Sequence, residues 1–370
     1  MQNTLTTAVS KGNGEEATQE DTVARVLNLG LDVHYRQVTV AMQEDGGRIK
    51  AAGKMSHGAF LNWVRAKLAE GWRIESCYEA GASGYWLHRE LVELGVRNLV
   101  VVPKAMGGPE AKRQKTDKRD SAQLCDALDR YLRGQDKALS VVGVPTLEQE
   151  EHRGLIRYHR QLIKDRTRAE ARGKGLLCAQ GIEVGGLWWQ GKGWVAVHSD
   201  PRLKDWMQEQ LADWRKKILR AQAEEKPLRE RIEALAPESL PKGVGAYSAA
   251  VLHYEMKGWE RFSNRRQVAS YTGLCPGIHL SDSRGKEGSI NRCGNRTVRW
   301  TLVEMVWRLM IWQPHYGPVR QLAAVKSKRA KKRLVVKAAR RLAIDLWRLE
   351  TGQTTAEKLG LIMRLRTSSN

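Results

Sequence analysis

Asp32, Glu79, Asp117 and Asp120 are the residues of this chain whose type and placement most directly imply chemistry. Asp32 ends the apolar run Val26-Leu27-Asn28-Leu29-Gly30-Leu31, and Glu79 ends Trp72-Arg73-Ile74-Glu75-Ser76-Cys77-Tyr78. Asp117 and Asp120 stand three apart in Lys-Thr-Asp-Lys-Arg-Asp-Ser-Ala, at the expected start of a helix, and so share a face. A carboxylate that closes an apolar run is costly to bury unpaired. Acids gathered from neighbouring elements are the donors that hard divalent cations take, Mg²⁺ or Mn²⁺. Such cations stabilise both the attacking and the leaving oxygen of an in-line phosphoryl displacement. Lys115, Lys118 and Arg119 flank the last two acids and would hold a substrate backbone. Singly, each acid has a plainer use as a strand-end turn, an arginine partner or a helix cap.

Positioning these acids requires strands that end together. Residues 1–22 are polar and aperiodic and read as a flexible tail. Within 23–145, Val26–Leu31 is a buried strand, Gln37–Gln43 alternates as its hairpin partner, and Ile49–Met55 is a third strand. Helix, strand, helix, strand and helix follow at Phe60–Leu68, Arg73–Glu79, Tyr85–Leu94, Asn98–Val102 and Lys118–Leu132. Three strands and then αβαβα is the ribonuclease-H-like order, with the first strand central and the fourth beside it. Asp32 and Glu79 then project near each other, and the last helix carries Asp117 and Asp120 across them.

From 146 to 237 the pattern becomes helical. Leu155, Leu162, Ala169 and Leu176 recur every seven residues, as in a long packed helix. A second helix over Leu203–Ala223 places Trp206, Gln210, Trp214 and Ile218 on one face, and Pro227 opens a further stretch. The pair reads as an antiparallel coiled-coil hairpin, with a solvated helical linker as the plainer reading. Trp188 and Trp189 lie in the turn, where core packing is the more ordinary use and base stacking the other. A third unit, 238–350, opens on Leu240-Pro-Lys242-Gly243-Val-Gly245, a turn that could offer backbone N–H groups to a phosphate. Its final basic run, Lys326 to Arg341, holds nine Lys or Arg and no acid, and Lys328, Arg329, Lys332 and Arg333 would face phosphate. Residues 351–370 read as a second tail.

Sixty-three Lys and Arg against 41 Asp and Glu give a formal net charge of +22, which points to a polyanionic partner. No apolar run reaches the roughly 18 residues of a membrane span, so no membrane partner is expected. Five cysteines without a CxxC pair argue against a disulfide framework or zinc site and fit a reducing cytoplasm.

The motifs Leu-Gly-Leu-Asp32, Tyr-Glu79-Ala and Lys-Thr-Asp117-Lys-Arg-Asp120-Ser-Ala resemble those of DEDD-type insertion-sequence transposases. So does the downstream half, with Gly245, Glu255, Phe262, Tyr-Thr-Gly-Leu-Cys-Pro276, Ser281 and Ile290-Asn-Arg-Cys-Gly-Asn295-Arg-Thr-Val-Arg299. The resemblance is to the insertion-sequence-110 family, in its 1111 branch by length and coiled-coil insert. It implies a RuvC-like domain, the coiled-coil insert and a mainly helical C-terminal transposase domain. It further implies an RNA-guided serine recombinase that acts on donor and target DNA with a structured bridge RNA. The four acids would bind metal, and Ser281, five residues after Pro276 and fourteen before Asn295, would be the nucleophile. Asp282 follows where Gly is usual, which keeps Ser283 as runner-up. Asn295, Arg296 and Arg299 would contact phosphate. The family pattern also implies a homo-oligomer, dimer or tetramer, working at the bacterial nucleoid, with acids and serine supplied by different subunits. The competing reading is a RuvC-like, junction-resolving metal nuclease in which water attacks.

Overall fold

The computed structural model describes residues 25–102, 117–279 and 286–366. The chain divides into two compact units, Met1–Val144 and Pro145–Asn370.

The first unit runs β1 (Val26–Val33), β2 (Gln37–Glu44), β3 (Lys50–Ser56), α1 (His57–Ala69), β4 (Arg73–Glu79), α2 (Trp86–Glu93), β5 (Arg97–Val101) and α3 (Asp117–Leu132). Its sheet has the order β3-β2-β1-β4-β5, with β1 central and β4 beside it as the sequence pattern requires. β1 to β3 pair antiparallel, whereas β4 and β5 run parallel to β1. Because side chains alternate along a strand, each face collects its own set. Leu27, Leu29, Leu31, Ile74 and Tyr78 pack in one core with Phe60 and Val64 of α1 and Leu87 and Leu91 of α2. The opposite face meets α3 through Cys77, Ala127 and Leu128. There Gly30 lets the helix lie close. A Cβ at Gly30 would meet Ser121 O and Cys125 N and stand 2.9 Å from Cys125 Cα. Asn28 is buried on this face as well, its Nδ2 donating to Gln43 Oε1 at 3.1 Å.

The second unit begins with α4 (Leu147–Ala179), α5 (Gly191–His198) and α6 (Asp205–Ala234). Thr146 and Gln149 form a reciprocal capping box that starts α4. α4 and α6 pack in opposite directions: Leu177 shares a core with Met207 and Leu211, Tyr158 OH donates to Glu224 at 2.8 Å, and Ile156 clusters with Ile232. Trp188 and Trp189 are buried in the turn, with Trp188 Nε1 donating to Glu170 O, so they pack and do not stack on bases. Pro227 does not open a separate helix but lies inside α6. Its ring lies on the exposed side of the helix, while Ile218, Ala221, Leu228 and Ile232 on either side bury one continuous stripe.

The rest comprises β6 (Ser239–Pro241), α7 (Ala246–Met256), α8 (Arg265–Thr272), β7 (Pro276–His279), β8 (Lys286–Ile290), α9 (Arg296–Trp312), α10 (Gly317–Ala323), α11 (Lys328–Glu350), α12 (Ala356–Leu359) and β9 (Met363–Leu365). Residues 351–366, expected as a tail, are instead built into the unit. β9 pairs antiparallel with β6, Leu361 is buried in the main core, and Ile362 O accepts from Lys242 N and Gln313 Nε2 at 2.8 Å each. The segment is short and its apolar residues follow no regular period, so the sequence gave no sign that Leu361, with Ala356 and Leu359, anchors it in the core. Among the described residues no helix is long and apolar enough to cross a membrane.

Candidate active site

Two neighbouring parallel strands end at the acids. The β1–β4 register pairs Leu31 with Tyr78, and the next residues along are Asp32 and Glu79. α3 crosses the same face, held by Cys125 Sγ against Asn28 O and Cys77 Sγ against Leu124 O, 3.4 Å each. Its first turn carries Asp117 and Asp120. The topology thus brings the acids of β1 and α3 to one end of the sheet.

The tightest group there is Asp32, His34 and Asp117, which each offer a ligand atom within 4.8 Å of the others. His34 Nε2 lies 3.0 Å from Asp32 Oδ2 and 3.6 Å from Asp117 Oδ2. Lys54, on β3, places Nζ 2.7 Å from Asp117 Oδ2. Glu79 and Asp120 stand outside that closest group. Burial pushes the Asp32 carboxyl above the usual carboxylate range; His34 opposes the rise, and the charges of Asp117 and Asp120 add to it. Asp117 shifts the other way, lowered chiefly by its hydrogen bond from Lys54. Two carboxylates and an imidazole, with one carboxylate raised by burial and by like charge, form a donor set that suits a divalent cation.

His34 and Lys54 were not among the residues singled out from the sequence. The signal for His34 was its spacing, since Asp32-Val33-His34 puts both side chains on one side of a strand end. Lys54 gave no local signal, because its partner lies 63 positions away.

Lys118 is exposed on the first turn of α3 beside Arg119, whereas Lys115 lies outside the described residues. Ser281 and Ser283, between β7 and β8, also lie outside them. Below, the hairpin is closed by Asn291 N donating to Cys275 O and Asn295 N to Tyr271 O, both 2.9 Å. Asn295 is occupied internally. It caps α9 by accepting from Thr297 N and Val298 N, and its Nδ2 donates to buried Glu255 Oε2 at 2.7 Å. Glu255 also draws Arg153 Nη2 to 3.6 Å and Arg157 Nε to 3.8 Å, an anchor not identified from the sequence. Arg299 Nη1 donates to Thr272 O and Arg292 O, while Arg296 is exposed. Gly243, at φ 92°, packs against the Trp312 ring, with Lys242 above that ring and Gly245 at the N-cap of α7. Lys328, Arg329, Lys332 and Arg333 are all exposed at the start of α11.

Known proteins resemble both units. Residues 29–179 match the transposase model DEDD Tnp IS110, and residues 239–318 match that of the transposase IS116/IS110/IS902 family. The protein y4rJ of Sinorhizobium fredii, named as a transposase, is 30% identical over 326 residues, covering 77% of this chain and 78% of its own. The transposase for insertion sequence element IS1533 of Leptospira borgpetersenii is 24% identical over 267 residues, 68% of this chain and 75% of its own. That for IS1111A of Coxiella burnetii is 22% identical over 346 residues, 88% and 90% respectively. The chain belongs to the IS116/IS110/IS902 family of DEDD transposases and is a DNA transposase of an insertion sequence.

Proposed function

We propose that the protein moves its element as an RNA-guided serine recombinase of the family's 1111 branch. The observation that carries the reading is the convergence of Asp32, His34 and Asp117 in a chain of this family whose second half carries a serine-bearing hairpin. Asp32, Glu79, Asp117 and Asp120 would hold Mg²⁺ or Mn²⁺, with His34 as a further ligand. Bound there, the cation supplies charge stabilisation at the phosphodiester oxygens.

The remaining steps fall to the chain itself. The Ser281 hydroxyl, or Ser283 in its place, bonds to phosphorus as one strand P–O bond breaks, and the serine proton passes to the departing sugar oxygen. The strand stays joined to the protein as a phosphoserine ester. Attack by another strand's hydroxyl reverses the exchange and reseals DNA with no outside energy source. Asn295, Glu255 and Tyr271 hold the base of the β7–β8 hairpin, whose strands flank both serines in sequence. Sequence choice is delegated to a structured bridge RNA that pairs with donor and target DNA. The α4–α6 pair serves as a coiled-coil hairpin for assembly into a dimer or tetramer.

The test is an adduct assay. Protein, Mg²⁺, RNA from the element's flanks and labelled donor DNA are resolved on a denaturing gel. A protein-linked band lost in Ser281→Ala and Asp32→Asn, kept in Ser283→Ala and dependent on the RNA supports the proposal. Restoration of the band on mixing the two inactive variants supports assembly across subunits. Free cleaved DNA with no adduct, unchanged in Ser281→Ala, leaves the metal nuclease in which water attacks.

A further inference from the structure

A cleft of about 790 Å³ opens in the second unit between α8, α10, α11 and α12, lined along α11 from Leu334 to Asp345. Arg265, Arg266, Lys337, Arg340, Arg341 and Lys358 line it, against a single carboxylate, Asp345. That carboxylate is already engaged within the fold: Tyr316 OH and Arg341 Nε donate to Asp345 Oδ2 at 2.9 and 3.0 Å. Among the described residues no carboxylate pairs with Arg265, Arg266, Lys337, Arg340 or Lys358. Five cations gathered around one cleft with no internal counter-charge repel one another unless an anion joins them. The floor between them is apolar, with Leu334, Ala338 and Ile344.

The cations on α11 follow the helix. Arg329, Arg333, Lys337 and Arg341 recur every four residues, with Arg340 beside the last, so one basic stripe runs about 18 Å along the axis into the cleft. Cys275, the residue before β7, lines the same cleft, so the stripe ends at the base of the hairpin.

We propose that this cleft is a nucleic-acid backbone site, in which Arg265, Arg266, Lys337, Arg340 and Lys358 clasp consecutive phosphates over an apolar floor that accepts a sugar or base. The assignment rests on the nucleic-acid partner of the proposed function and is independent of the chemistry at the acids. A phosphate track of this kind carries a salt signature, because each neutralised phosphate releases counterions on binding. DNA and RNA share that chemistry, and the experiment separates them.

Full-length protein in EDTA, where cleavage plays no part, is titrated by fluorescence anisotropy into a DNA duplex, a DNA single strand and a structured RNA of matched length at several salt concentrations. The variant is Arg265→Ala/Lys337→Ala/Arg340→Ala. The control is Lys192→Ala/Lys216→Ala/Lys226→Ala, which removes the same charge from exposed positions elsewhere in the unit. The cleft variant is expected to bind at least about tenfold more weakly at moderate salt, with its log–log salt slope lowered by about 2 to 3, and the control to change little. Loss confined to RNA assigns the cleft to RNA, and loss confined to either DNA assigns it to DNA. An unchanged affinity and slope on all three probes, or an equal loss in the control, overturns the proposal. Matching thermal unfolding of the variants and wild type shows that the fold is kept; if the alanine variant unfolds early, Arg265→Gln/Lys337→Gln/Arg340→Gln is read in its place.

Discussion

Asp32 sits where its charge is least comfortable and most useful. Burial and the charges of Asp117 and Asp120 raise its pKa, so ionised Asp32 costs stability at neutral pH. A carboxyl raised in the fold contributes fully below its unfolded pKa and loses that contribution as pH rises through the folded value. Asp32→Asn is therefore expected to abolish DNA cleavage while raising the melting temperature by about 2 °C at pH 7, as differential scanning fluorimetry would report. Wild type, but not Asp32→Asn, should gain further stability on addition of Mg²⁺ or Mn²⁺. Lys54 competes with a cation for Asp117 through its 2.7 Å contact. Lys54→Met should lower the metal concentration needed for half-maximal cleavage, and an unchanged metal titration would remove Lys54 from the site. Asp32 was legible because it closes an apolar run. His34 was not, since a lone histidine gains meaning only from the acids the fold sets beside it.

At the scale of elements, α3 is both lid and ligand carrier, and its seat is the bare backbone of Gly30. Gly30→Ala would drive a methyl into Ser121 O and Cys125 N, backbone atoms that cannot swing aside. A cost of about 3 kcal/mol is expected in urea unfolding, with cleavage reduced because Asp117 and Asp120 move with the helix. The thiols between α3 and the sheet, Cys125 on the helix and Cys77 on β4, give the same contact a pH dependence. Burial pushes Cys77 up and Cys125 up to about 12, whereas the unfolded thiols ionise near 9. Their contribution is intact below about pH 9 and is lost as pH rises from there towards 12. Melting between pH 8 and 10.5 should fall less in Cys77→Ala/Cys125→Ala than in wild type, by up to about 1.4 kcal/mol per thiol and pH unit. In the second unit, Glu255 joins α4 and α7 to the cap of α9. Glu255→Ala strands buried Arg153 and should cost about 3 kcal/mol, with Glu255→Gln milder. The strands were readable from their alternation, and the long helices from their heptads. The Glu255 anchor was not, because its partners lie 40 positions or more away.

At the scale of the whole molecule, the charge of +22 and the family agree that the partner is nucleic acid, and binding should weaken steeply between low and moderate salt. Composition revealed that much and no more; it did not show that the basic residues of α11 lead into a cleft, since helical spacing alone does not say which face is covered. The end of the chain was misread for a related reason. β9 has three residues, and its pairing with β6 is a long-range event with no local signature. That pairing has a consequence for the gene. A premature stop codon after codon 350 spares the codons of Asp32, Glu79, Asp117 and Asp120, of both serines and of the basic helix. It deletes β9, the Leu361 anchor and the acceptor of Lys242 N, leaving the edge of β6 and the apolar bed of Leu361 open. A copy so truncated keeps the codons of the proposed catalytic residues and is nonetheless expected to encode a less stable second unit.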